Sequence, residues 1–297
     1  MSFDRAKSAL NGTRFADLRS VAETGSTNAD VRSLLTAATA DGLSGGPSGT
    51  PNVGAYPEAP VVLLADHQNA GRGRRGRGWD APAGSSVLMT IGYPLRSVPP
   101  ERWTLMTMCL SLAVTDTTTQ MGIGSVSIKW PNDLVVEAPD APLGYRKLGG
   151  VLAETALSPR LGDCVILGLG LNVNWRSMPD ELADTAASLS SLLQPKDSDR
   201  AIDLDDVVIG ILGRLDDTWL PAVEGSANDL EKLFDAYRQR CSTLRRKVRI
   251  EVPNGTIVGT ATDVAPDGAL VVTGPDGVRR ITVGDVVHLR PEIDPEP

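Results

Sequence analysis

Hydrophobic positions along the chain fall into two textures. Short, largely apolar runs at 61–64, 86–91 and 164–173 alternate with stretches in which apolar residues recur every third or fourth position. The runs predict buried strands and the recurrences predict helices. Further strands are predicted at 18–23, 126–129, 134–137 and 147–156. Val31, Leu34, Leu35 and Ala38 predict a helix after Gly25, with Ser26 or Thr27 as its cap and Thr27-x-x-Asp30 as a capping box. Pro99 and Pro100 suit the start of a second helix, with Trp103, Met106, Leu110, Ala113 and Val114 on its buried face and Gly122 and Gly124 at its end. Two more helices are predicted at about 205–219 and 228–241. The first ten residues carry little pattern and are expected to be disordered. Residues 41–60, rich in Gly, Pro, Ser and Ala, read as a flexible surface insertion, and 176–200 as loop with a short helix.

From about Arg245 the texture changes. Five short β-rich runs, near 247–252, 256–264, 269–273, 278–283 and 286–289, are separated by Pro253-Asn254-Gly255, Pro266-Asp267-Gly268 and Pro275-Asp276-Gly277. Each triplet is a turn signal, so this end predicts a small antiparallel β-barrel. The domain reading is 1–243 followed by 244–297.

Composition narrows the class. The 297 residues are 41% hydrophobic and 22% charged, with a net charge of −8, as expected for a globular protein. Cys109, Cys164 and Cys241 lie far apart in apolar surroundings, which points to buried thiols and not to a disulfide frame or a zinc site. No apolar signal core opens the chain and no run is long enough for a membrane span, so a cytoplasmic location is expected.

Against this acidic background stands Gly71-Arg72-Gly73-Arg74-Arg75-Gly76-Arg77-Gly78-Trp79, with four arginines and four glycines before the tryptophan. No hydrophobic period runs through it, so it is neither an amphipathic helix nor a half-buried strand. Glycine lets the backbone approach a ligand closely. Guanidinium forks and backbone N–H groups suit phosphate or carboxylate. A concentrated basic loop in an acidic chain argues for a discrete anion site. The loop follows a strand end through Gln68 and Asn69. Lys129 to Asp133 reads as a bulge or tight bend, since Pro131 cannot donate to a ladder and Asn132-Asp133 favours a turn. Residues 138–146 read as a hairpin tip. Gly168 and Gly170 within a strand suggest close approach of a ligand or another backbone.

Four ordered strings, Gly-Ser-Thr-Asn at 25–28, Gln-x-Ala-Gly-Arg-Gly-Arg-Arg-Gly-Arg-x-Trp at 68–79, Lys-Trp-Pro-Asn-Asp at 129–133 and Lys-Leu-Gly-Gly at 147–150, resemble the biotin–protein ligase family. The Gly-Leu-Gly-Leu-Asn-Val-Asn string at 168–174 and the β-rich end also resemble it. The resemblance implies an α+β fold: a central mixed β-sheet flanked by helices, then the small C-terminal barrel. It implies biotin, ATP and Mg²⁺, and a two-step reaction through biotinyl-5'-AMP that ends on a lysine of a biotin carboxyl carrier domain. By the same resemblance, Lys147, Arg72, Arg74 and Asp133 are the catalytic candidates. Ser26, Thr27, Asn28, Gln68, Arg72, Gly73, Arg74 and Lys147 are expected to bind biotin. Arg74, Arg75, Arg77, Trp79, Asn132, Lys147 and Asn172 are expected to bind ATP, and the metal ligands stay open. Asp133 is expected either to take the carrier lysine's proton or to help place Mg²⁺, and Asn172 to face adenine. Trp79 either closes over the ligand or packs in the core.

About twenty residues precede Gly25, too few for the DNA-binding domain of some bacterial members, so a ligase without repressor activity is expected, as a monomer or weak homodimer. Two rival readings are a lipoate ligase or octanoyl transferase, and a nucleic-acid-binding module using the Arg/Gly run. The second predicts strongly salt-dependent binding, and the 4% aromatic content is poor in stacking platforms.

Overall fold

A computed structural model describes residues 2–37, 60–193, 201–252, 255–275, 277–282 and 284–289. The chain opens with α1 (Asp4–Ala9), β1 (Asp17–Thr24), α2 (Thr27–Thr36) and β2 (Val61–Gln68). The arginine run forms β3 (Gly71–Arg72) and β4 (Gly78–Trp79) around a 3₁₀ turn at Arg74–Gly76, and β5 (Ser86–Pro94) follows. Next come α3 (Met106–Gln120), β6 (Val126–Lys129), β7 (Asp133–Glu137), β8 (Tyr145–Ser158) and β9 (Gly162–Asn172). The helices α4 (Asp180–Ala183), α5 (Leu204–Arg214), α6 (Leu220–Glu224) and α7 (Ala227–Arg240) lead to β10 (Lys247–Val252), β11 (Gly255–Val264), β12 (Leu270–Gly274), β13 (Gly277–Ile281) and β14 (Asp285–His288).

The main sheet has the order β1-β2-β5-β9-β8-β7-β6. β1 and β2 are parallel and the remaining neighbours antiparallel, so the sheet is mixed as expected. Successive strand side chains point to opposite faces, and both faces of β2 are covered. Val61 and Leu63 join Val31, Leu34 and Leu35 of α2 on one side, while Val62 and Leu64 join the larger core with α3, α5 and α7 on the other. A strand buried on both faces reads as an unbroken apolar run, which explains 61–64 and the fully buried β5.

Several expectations need correction. The first ten residues are ordered: Phe3, Ala6 and Leu10 are buried around α1. The capping box on α2 does not form. Ser26 is the cap residue without a side-chain bond, Asp30 accepts from Thr24 Oγ1 at 2.5 Å, and Thr27 turns to Gln68. The helix expected at 205–219 is α5 plus a π turn at Leu215–Trp219, running into α6. Residues 41–59 of the expected insertion lie outside the described residues, as do 194–200 of the expected loop. All three cysteines are buried and free. Among the described residues no helix is long and apolar enough to cross a membrane.

The C-terminal strands form an open five-stranded antiparallel sheet in the order β13-β12-β11-β10-β14, not the closed barrel expected from the turn spacing. β13 and β14 are the two edges. Of β13's residues only Ile281 is buried, so that strand offers no apolar face with which to close a barrel. The sheet is tied to the rest of the chain by Trp130 Nε1 donating to the Gly268 carbonyl at 2.9 Å and by Thr243 Oγ1 beside His288 Nε2 at 3.1 Å.

Candidate functional site

β2 delivers Gln68 to the edge of the sheet, and the arginine run turns back on itself there. Gly71 pairs with Trp79 and Arg72 with Gly78. The Gly73 N–H donates to the Arg77 carbonyl at 2.7 Å. The reversal needs two successive positive φ angles, 56° at Arg75 and 73° at Gly76. Glycine adopts this region freely and arginine does so at a cost. Far from lacking strand character, the run is thus a short hairpin.

Behind it lies a cavity of about 130 Å³. Ser26, Thr27, Asn28 and Gln68 line one end, and Met89, Leu152 and Leu169 give it an apolar wall. Arg72, Gly73, Arg74, Arg77 and Trp79 cover it, and Asn132, Asp133 and Lys147 close the other end. Trp79 rests on the sheet because Gly170 has no side chain: a Cβ there would lie 2.6 Å from the indole. The Trp79 indole nitrogen is buried without a hydrogen-bond partner.

The charged end is ordered by one carboxylate. Asp133 Oδ1 lies 2.6 Å from Lys147 Nζ and Asp133 Oδ2 lies 3.6 Å from Lys129 Nζ. Burial pushes the Asp133 carboxyl up, but Lys147 and Lys129 outweigh it and hold the group below the usual carboxylate range. Burial pulls the Lys129 ammonium down, with Lys147 adding to the effect and Asp133 opposing it. Arg74 donates to Asn132 Oδ1 at 2.9 Å, and burial lowers its guanidinium from the ordinary value. The Lys147 ammonium also stands 5.9 Å from the centre of the Trp79 ring, within cation–π range.

Two expected site residues fall outside the cavity. Asn172 is buried with its amide turned inward, accepting from Ser86 Oγ at 3.4 Å and donating to the Ala187 carbonyl at 3.2 Å. Arg75 points away and meets Asp285 at 2.9 Å. The sequence reading also missed three residues. Asp285, from β14, lines the cavity and holds Arg77 at 2.6 Å as well as Arg75. Lys129 was read only as a strand end leading into a bend, and Thr90 only as strand. Lys129 stood inside a quoted string, whereas nothing local marked Asp285 or Thr90.

The sequence matches the family model for the biotin/lipoate A/B protein ligase family over residues 55–172 and the model for the biotin protein ligase C terminal domain over 243–289. It is 33% identical to a biotin–[acetyl-CoA-carboxylase] ligase of Mycobacterium tuberculosis, covering 94% of this chain and 91% of that protein. It is 29% identical to the bifunctional ligase/repressor BirA of Bacillus subtilis, covering 77% of this chain and 66% of that one. The fold is similar to that of a biotin protein ligase from Aquifex aeolicus solved with biotin and ATP, with a TM-score of 0.70 and 21% identity over 93% of this chain and 100% of that one.

Proposed function

Since the chain belongs to the biotin/lipoate A/B protein ligase family, we propose that it attaches biotin to a lysine of a biotin carboxyl carrier domain. ATP drives the reaction through biotinyl-5'-AMP. The observation that carries this reading is the convergence on one cavity of the cations Arg72, Arg74 and Lys147 with the polar cluster Ser26, Thr27, Asn28 and Gln68.

The chemistry follows from the charges. Biotin's carboxylate and the α-phosphate are both anionic, and the first step requires them to meet. A carboxylate oxygen attacks the α-phosphorus, and pyrophosphate leaves with the electrons of the broken P–O bond. No base is needed, because the carboxyl is already ionised at neutral pH; fixed cations are. Lys147, oriented by Asp133, bridges the two acids, and Arg72 and Arg74 hold them from the hairpin side. Ser26, Thr27, Asn28 and Gln68 hold the ureido head. Trp79 covers the mixed anhydride and excludes water. In the second step the carrier lysine's neutral amine attacks the acyl carbon, the C–O bond to the phosphate breaks, AMP leaves, and the proton shed by the nitrogen as the amide forms passes to solvent. Asp133, 2.6 Å from Lys147 Nζ and 3.6 Å from Lys129 Nζ, positions Lys147.

Magnesium, if used, fits as an ion carried by the nucleotide. Among the described residues no group of three or more His, Cys, Asp or Glu could hold a metal, and Mg²⁺ commonly binds through substrate phosphates with few protein ligands. The remaining assignments of this reading are a cytoplasmic enzyme and a division at 243/244 between the catalytic part and the C-terminal part.

The direct test is modification of a carrier. Purified protein, biotin, ATP and an apo carrier domain should give carrier heavier by one biotinyl group on one lysine, with lipoate in place of biotin giving little or none. Equal modification by lipoate, or none by either, would overturn the assignment.

A further inference from the structure

Thr90 is fully buried in β5, directly opposite Gly168 of β9, and does not line the cavity. Its hydroxyl stands 2.7 Å from both Thr27 Oγ1 and Asn28 Oδ1. A threonine within a strand is ordinary, but a buried hydroxyl placed against two cavity-lining residues has a consequence for where the protons sit.

The partners fix the orientation of each group. The Asn28 amide lies flat over Gly168, where a Cβ would come within 2.1 Å of Oδ1. Asn28 Nδ2 donates to Glu154 Oε2 at 3.4 Å, and that carboxylate is also paired with Arg32 at 3.2 Å. A carboxylate accepts only, so Oδ1 must be the atom that faces Thr90, and Thr90 must be the donor. On the other side, the Thr27 backbone N–H donates to Gln68 Oε1 at 2.8 Å, which leaves Gln68 Nε2 free to donate toward the cavity. The Thr27 hydroxyl shares its one proton between the same Oε1 at 2.9 Å and Thr90 Oγ1 at 2.7 Å, which can accept it because Thr90's own proton lies on Asn28. Each hydroxyl carries one proton. The protons of Thr27 and Thr90 are therefore both held inside the cluster, and Thr27 can offer the cavity only an oxygen lone pair.

From this we infer that Thr90 is a positioning residue for the head-group end of the cavity. It fixes Thr27 as an acceptor beside Gln68 as a donor. The cyclic urea of biotin carries N–H donors next to a carbonyl acceptor, which is the complement of that pair. The inference rests on the biotin reading above and deepens it, by naming what sets the polarity of the subsite.

The test is calorimetric binding of biotin alone, without ATP, to the wild type, Thr90→Val and Thr90→Ser, with steady-state pyrophosphate release alongside. Thr90→Val keeps the shape and removes the hydroxyl. It should weaken biotin binding about tenfold or more, the loss expected from one buried hydrogen bond and one orphaned acceptor. KM for biotin should rise in parallel while KM for ATP stays within about twofold, and Thr90→Ser should recover most of the loss. Thr90→Ala serves the same purpose if valine prevents folding. Biotin affinity unchanged in the variant lacking the hydroxyl, or equal losses for biotin and ATP, would overturn the inference while leaving the ligase reading intact. A wild type that binds no biotin would instead overturn the ligase reading.

Discussion

Lys147 Nζ lies 2.6 Å from Asp133 Oδ1, and the other oxygen of that carboxylate faces Lys129 at 3.6 Å. One half-buried acid thus aims one ammonium into the cavity and neutralises a second, Lys129. If Asp133 positions and does not take a proton, Asp133→Asn should slow adenylate formation by about tenfold, because a misplaced cation loses much of its value. Transfer from preformed biotinyl-adenylate to a carrier should stay within about twofold. A collapse of the transfer step, measured in single-turnover experiments, would restore Asp133 as the base.

The hairpin is strapped to the C-terminal sheet by Asp285, which meets Arg75 and Arg77. Both arginine side chains are well exposed, so each contact is worth less than about 1 kcal/mol and is screened by salt. A strap this weak yields to phosphate. Limited proteolysis after the arginines at 72–77 should speed up with Asp285→Ala or with added salt, and slow down with biotin plus ATP. Cleavage indifferent to all three would mean that the hairpin does not move.

The fold should weaken in mild acid through His288. Burial, with Lys129 and Arg246 adding, pushes this imidazole down to about 3 from an ordinary 6.5. Between those values the unfolded chain binds a proton that the folded chain refuses, so stability rises with pH across the window and is lost as pH falls from 6.5 toward 3. Asp133 adds acid sensitivity of its own: its lowered carboxyl stabilises above the unfolded value of about 3.9 and loses that contribution as pH falls through its folded value. The carboxylates contribute alike to the wild type and to His288→Gln, so the difference between the two over about pH 4 to 6.5 reports the histidine. Urea unfolding of His288→Gln should show a flatter pH dependence there than the wild type, and an identical slope would exclude this role.

Tyr237 places its hydroxyl in the core, where it finds no hydrogen-bond partner among the described residues. An unpaired buried polar group costs about 1–3 kcal/mol. Tyr237→Phe should therefore hold or raise the melting temperature, in contrast to most core substitutions. A clear drop would reveal a partner for the hydroxyl.

Much of the site was legible in the sequence because its parts are contiguous strings: Ser26 to Asn28, the arginine hairpin, Asn132 with Asp133, and Lys147. Strand-on-strand burial likewise announced itself in the apolar runs of β2 and β5. The misses have specific causes. Phe3, Ala6 and Leu10 did carry a helical spacing, but six residues of helix are too few to stand out. Asn172 sits at the end of a glycine-rich strand that resembles a ligand-facing string, yet its amide satisfies Ser86 and Ala187. Thr90 looks like any strand threonine, and Asp285 comes from a strand more than 200 positions beyond the arginines that it holds. The sheet stays open where β13 is exposed along all of its length but Ile281, a property of its residues that the turn spacing did not weigh.

The central claim is that Lys147 joins two anions whose repulsion otherwise keeps them apart. It is tested most directly by pyrophosphate release and recovery of biotinyl-adenylate from protein, biotin and ATP, for the wild type against Lys147→Ala. The wild type should form the anhydride, and the variant should form it slower by a factor on the order of a hundred or more, with its melting curve little changed because the side chain is partly exposed. Anhydride formation at an undiminished rate in Lys147→Ala, or none in the wild type, would contradict the account.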